Sequence, residues 1–162
     1  MRTLTPQQAA AIASGVYALR DQTVGEAAAR HDVLGSEGMF NVADDSRFNG
    51  LSGGLDVCRV LSGFGYIAEG LGSHEKEILV ATRGTAIKVD WLTNASIGLQ
   101  PGPGGELVHA GFHETWKSFS AEIGRFLRGR NPTVIHCVGH SLGGALATLN
   151  ADYFSSIRAG AV

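Results

Sequence analysis

With 162 residues, 44% of them hydrophobic, the chain has apolar material for one core of ordinary size, and no linker-like tract divides it. Its 13 Lys and Arg stand against 15 Asp and Glu, a formal net charge of −2 without a basic cluster, which excludes nucleic acid and electrostatic attachment to anionic membranes as modes of binding. Cys58 and Cys137 are too few and too far apart for a disulfide framework, and no apolar stretch is long enough to span a bilayer.

The opening Met1-Arg2-Thr3-Leu4-Thr5-Pro6 lacks the apolar core and small-residue cleavage site of an export signal. The chain therefore reads as soluble, with leaderless export left open. Thr5 caps a first helix with Pro6 at its opening position, and Ala9, Ile12, Ala13, Val16, Tyr17 and Leu19 give helical periodicity to about Arg20. Residues 35–54 are rich in Gly, Asp, Ser and Asn and predict loops with at most one short strand near 39–42. Residues 55–61 fit helix or strand equally. The runs 64–69 and 78–83, joined by Gly70-Leu71-Gly72-Ser73-His74-Glu75-Lys76, predict a hairpin with a longer loop. A short strand at 107–109 precedes a helix over 112–128, with Phe112, Trp116, Phe119, Ile123 and Phe126 along one side and Asn131-Pro132 beyond its end. An apolar strand at 133–138, containing Cys137 as a small buried side chain, leads to a final helix from 142 to about 157.

Between that strand and that helix lies Gly139-His140-Ser141-Leu142-Gly143. A serine at a sharp strand-to-helix turn is held in a strained backbone conformation with its hydroxyl over the end of the sheet, and the flanking glycines make room for close packing. With 23 glycines in the chain the pattern recurs by chance, as Gly50-Leu51-Ser52-Gly53-Gly54 does. That copy follows a polar, turn-rich segment, so Ser52 reads as loop and Ser141 as nucleophile. Strands followed by helices, with the serine at a strand's carboxyl end, imply an α/β fold with the site at that edge. The N-terminus of the final helix would then favour an oxyanion.

Three blocks in order resemble the class 3 lipases: Ala81-Thr82-Arg83-Gly84-Thr85 with Asp90-Trp91 after it, Val108-His109-Ala110-Gly111-Phe112, and Gly139-His140-Ser141-Leu142-Gly143-Gly144-Ala145. The resemblance implies an α/β-hydrolase fold with a mostly parallel sheet. It makes residues 1–162 a single incomplete domain, the N-terminal part of that fold with its later strands expected elsewhere, comprising an N-terminal part at 1–77 and a lipase-like core at 78–157. It makes Ser141 the nucleophile, the backbone N–H of Leu142 one oxyanion donor and Thr85 the other, the alternative for Thr85 being a strand-end cap. It also places a lid over 86–94, with Ile87, Val89, Trp91 and Leu92 as its apolar members. The competing reading is a surface helix whose Trp91 is core.

Neither His109 nor His140 is made the catalytic base by the resemblance, and packing or hydrogen bonding beside the turn suits His140. His113 reads as surface or capping, His31, His74 and His136 have no partner pattern, and no His, Cys and carboxylate spacing suggests a metal site. Neither metal nor cofactor is expected. In α/β-hydrolases the acid and histidine follow the serine, yet the residues after Ser141 hold one carboxylate, Asp152, and no histidine. A separate C-terminal piece or partner chain carrying both is the expectation, the present chain alone being inactive or residually active. The implied function is a serine carboxylester hydrolase acting on lipid esters at a membrane or micelle surface, compatible with an effector exported by an injection system. The alternatives are a truncated fold serving as a binding module, or a hydrolase of soluble esters or thioesters.

Overall fold

The computed structural model describes residues 4–19, 34–43, 46–52, 60–84 and 98–159. Helix α1 (Pro6–Gly15) opens on a capping box: Thr5 Oγ1 accepts from the Gln8 N–H, and the Gln8 side chain accepts from the Thr5 N–H. It tightens into a 3₁₀ turn (Val16–Leu19) instead of continuing as α-helix to residue 20. Among the described residues seven strands follow: β1 (Phe40–Asn41), β2 (Arg47–Ser52), β3 (Val60–Gly70), β4 (Glu77–Thr82), β5 (Leu99–Pro101), β6 (Leu107–His109) and β7 (Val134–Gly139). Helix α2 (Ala110–Leu127) lies between β6 and β7, and α3 (Leu142–Ala159) follows β7.

The main sheet runs β1-β3-β4-β7, with β2 also paired to β3. The expected hairpin is present as β3 and β4, antiparallel with Ile67 opposite Val80, and β4 pairs in parallel with β7 from Glu77↔Val134 to Thr82↔Gly139. β1 and β2 are both antiparallel to β3. Among the described residues the sheet is therefore mixed, and the expected parallel character belongs to the β4–β7 pair that carries the serine turn.

Two expectations need correction. The segment before Ser52 is strand β2, with Arg47 and Phe48 buried, and Ser52 is its last residue, paired with Val60. Alternation failed as a signal here because the register slips between Phe48 and Asn49, which leaves Phe64 as an extra residue of β3. Phe64 and Ile67 consequently lie in the same apolar cluster, where an unbroken strand would send residues three apart to opposite faces.

Apolar side chains cover both faces of the sheet. Ile78 and Val80 of β4 pack with Trp116, Phe119 and Ile123 of α2 and Leu146 and Leu149 of α3. Leu79 and Ala81 pack with Ile12, Val16 and Leu19 from the N-terminal helix. Burial on both faces makes every residue of β4 buried, whereas β7 is mostly half-buried and pairs with β4 alone among the described residues. Between α2 and α3, the indole N–H of Trp116 donates to Asn150 Oδ1 at 2.8 Å, a buried brace.

Candidate active site

β4 and β7 end side by side, so the turn after β7 lies against residues 82–84. Ser141 has φ +57°, in the left-handed region that non-glycine residues seldom occupy, and its side chain is exposed. The strained, outward-facing serine expected from the motif is thus in place. The glycines on either side are forced by contact: a Cβ on Gly139 would lie 2.1 Å from the Gly143 carbonyl oxygen, and one on Gly143 would lie 2.3 Å from the Thr82 carbonyl oxygen.

Thr82 and Arg83 hold this turn together. The buried Thr82 hydroxyl donates to the Gly143 carbonyl at 2.8 Å, with the Val138 carbonyl at 3.4 Å. The buried Arg83 guanidinium donates to the Gly63 carbonyl at 2.5 Å, to Ser62 Oγ at 2.6 Å and to the Gly84 carbonyl at 2.8 Å, and lies 4.6 Å from the Phe64 ring centroid. Both residues belong to the first resemblance block, and both fix the end of β4.

At the start of α3 the N–H groups of Gly143 and Gly144 are taken by the His140 and Ser141 carbonyls at 2.9 Å, and that of Ala145 by Ser141 at 3.3 Å. The N–H of Leu142 has no such acceptor among the described residues. A helix N-terminus presents unpaired donors with partial positive charge, and here one of them adjoins the serine. Leu142's side chain is buried in the core beneath it.

His140 is exposed, and its Nδ1 lies 3.3 Å from the Tyr17 hydroxyl. That oxygen is 2.4 Å from where a Cβ on Gly84 would stand, which places Tyr17 at the mouth of the turn. Sequence reading gave Tyr17 only as part of a helical stripe. His109 caps α2, its Nδ1 accepting from the Gly111 N–H at 3.2 Å. His113 is half-buried and stacked on Trp116 at 5.6 Å rather than surface or capping. Asp152 accepts from the Gly104 N–H at 2.8 Å and pins the β5–β6 turn to α3. Among the described residues none of these groups hydrogen-bonds to Ser141. Thr85, Ile87, Val89, Trp91 and Leu92 lie outside the described residues, as do His31 and Cys58.

His74 and His136, which show no partner pattern in the sequence, share one partner in the fold. His74 Nδ1 lies 2.7 Å and His136 Nε2 2.8 Å from the same oxygen of Glu77, at the far end of β4 from Ser141. Only the local His74-x-x-Glu77 spacing hinted at this cluster, because His136 is 59 residues further on. Burial would raise the Glu77 pKa, but the hydrogen bonds from His136 and His74 outweigh it and hold the carboxyl below its ordinary value.

A family model described as lipase (class 3) matches residues 79–159. Secreted mono- and diacylglycerol lipase 1 of Fusarium solani is 41% identical over 87 residues, which are 48% of this chain and 25% of that protein. Phospholipase A1-II 3 of Oryza sativa subsp. indica is 38% identical over 118 residues, with 54% of this chain and 28% of that protein covered. Among solved structures, a triacylglycerol lipase from Penicillium expansum superposes with TM-score 0.54 at 19% identity, over 91% of this chain and 54% of its own. Another triacylglycerol lipase, described as having a serine protease triad as its catalytic centre, gives 0.55 at 18%, over 94% and 57%. The likeness to these structures is one of fold, and the chain spans about a quarter of the length of the curated relatives it matches.

Proposed function

The chain belongs to the class 3 lipases and has their α/β-hydrolase fold, and from that premise we propose that it carries the nucleophile of a serine hydrolase acting on lipid carboxylesters. The observation that supports this reading best is Ser141 itself, an exposed non-glycine residue at φ +57° beside the N–H of Leu142, which no acceptor among the described residues takes. In the proposed reaction Ser141 Oγ attacks the ester carbonyl carbon while its proton passes to a general base. The carbonyl oxygen becomes an oxyanion held by Leu142 N–H, with Thr85 as the second donor. Collapse expels the alcohol, which takes the proton from the base, and water then releases the acyl group by the same steps.

Each oxyanion donor contributes on the order of 3 kcal/mol to the transition state. The general base and the acid that orients it are assigned to sequence beyond this chain, since the chain spans a quarter of the curated relatives and just over half of the solved lipases. Asp152, engaged by Gly104, is not that acid. The lid role of Ile87, Val89, Trp91 and Leu92 belongs to the same proposal and implies a lipid surface as the place of action. No described helix is long and apolar enough to cross a membrane.

The test is hydrolysis of a glycerolipid ester by the native protein and its Ser141→Ala variant, with substrate presented above and below its micellar threshold. The expected result is a loss of about 10⁴-fold or more in kcat for the variant, with a rate that jumps at the threshold for the parent. Undiminished turnover by the variant would overturn the role of Ser141, and equal rates on dispersed and aggregated substrate would remove the lid and leave a hydrolase of soluble esters.

A further inference from the structure

His74, Glu77 and His136 come from three separate elements. His74 closes the 3₁₀ turn (Gly72–His74) between β3 and β4, Glu77 opens β4, and His136 lies in β7 opposite Leu79. His74 and Glu77 are buried residues, and the side chains of all three are 9% exposed or less. Phe40 walls the cluster, its ring centroid 5.1 Å from His74 and 5.9 Å from His136. One ligating atom from each of the three residues lies within 4.8 Å of the others.

We propose that this cluster is a binding site for one zinc-class divalent cation, held by His74 Nδ1, His136 Nε2 and a Glu77 carboxylate oxygen, with water in the remaining position. Ligand bonds of about 2.1 Å in tetrahedral geometry place donor atoms about 3.4 Å apart. The two nitrogens stand 2.7 and 2.8 Å from Glu77 Oε2, so the cage opens by roughly half an ångström to admit an ion of that size. Two imidazoles and one carboxylate suit zinc, whereas calcium and magnesium call for larger sets of oxygen ligands.

Without the ion, both nitrogens donate a proton to the carboxylate. With it, each neutral imidazole moves that proton to its other ring nitrogen and offers a lone pair. A surface groove lined in part by Glu75, Lys76, Asn131, Pro132 and Arg130 has Glu77, alone of the three, in its wall.

The site lies at the opposite end of the β4–β7 pair from Ser141, roughly 16 Å away along β4 at the usual rise per residue. An ion there clips the β3–β4 turn to both strands that carry the serine, and so acts on stability rather than on the chemical step.

Chelator-stripped native protein is titrated with Zn²⁺ alone and Co²⁺ alone. One equivalent of zinc should bind and raise Tm, cobalt should give the visible absorption of a four-coordinate ion, and X-ray absorption at the zinc edge should show two imidazole nitrogens. The variants His136→Gln and His74→Asn each place an amide N–H near the lost ring nitrogen, keep the hydrogen bond to Glu77 and remove one metal ligand. Metal-free, they should melt like the parent, and they should lose the zinc-dependent rise. Absence of stoichiometric binding by the parent, parent-like binding by both variants, or an X-ray absorption spectrum without imidazole overturns the proposal. Should the variants fail to fold, the parent's X-ray absorption spectrum decides alone.

Discussion

At the scale of single residues, the serine turn is held by contacts that leave no spare volume. Gly143→Ala would drive a Cβ to 2.3 Å from the Thr82 carbonyl oxygen and 2.7 Å from the Arg83 carbonyl carbon, backbone atoms that cannot rotate aside. Such overpacking costs about 1–3 kcal/mol or more, and denaturant unfolding should register at least that loss, together with a fall in activity. Thr82→Val keeps the shape but leaves the Gly143 carbonyl without the 2.8 Å hydroxyl donor. Its expected cost is about 1–2 kcal/mol, with Thr82→Ser close to the parent. Motif spacing made the glycines and Ser141 legible from sequence, because the chemistry and the packing need the same pattern. Thr82, Arg83 and Tyr17 were not legible as supports of the turn. Their partners lie 61, 20 and 123 residues away in the chain, and no local periodicity encodes such pairings.

At the scale of elements, α2 and α3 are joined through aromatic and polar contacts whose protonation matters. His113 stacks on Trp116, which donates to Asn150 across the helix interface. Burial pushes the His113 pKa below its ordinary 6.5, Lys117 pushes it the same way, and Glu114 opposes them. The folded chain then binds this proton less readily than the unfolded chain does. The stability associated with neutral His113 is present above pH 6.5 and is lost as pH falls from there through the folded-state value. Unfolding free energies measured across that window should decline more steeply for the parent than for His113→Phe, which keeps a ring against Trp116 and removes the titration. Equal slopes would contradict the assignment. Helices α2 and α3, the β3–β4 hairpin and the strand before the serine were readable from periodicity and turn residues. β2 was not, because its bulge with β3 and its buried Arg47 break the alternating pattern. β5 was also missed, since a three-residue strand finds its meaning only in its pairing with β6.

At the scale of the whole molecule, β7 pairs on one side with β4, and beside it Thr133, Val134, Ile135 and Cys137 form a groove with Ala151, Phe154 and Ser155 of α3. Burial pushes the Cys137 thiol up to about 12, so little thiolate is present near neutral pH. Alkylation mapped at the peptide level should find Cys137 nearly inert in the native protein and fully reactive in denaturant. Rapid native labelling would contradict the shielding of this thiol in the groove.

The account as a whole rests on an activated serine, and covalent capture measures that directly. The native protein treated with a fluorophosphonate should gain one adduct, mapped by tandem mass spectrometry to Ser141 and absent after Ser141→Ala. An ester-hydrolysing sample in which Ser141 stays unmodified, or in which another residue takes the label, would contradict it.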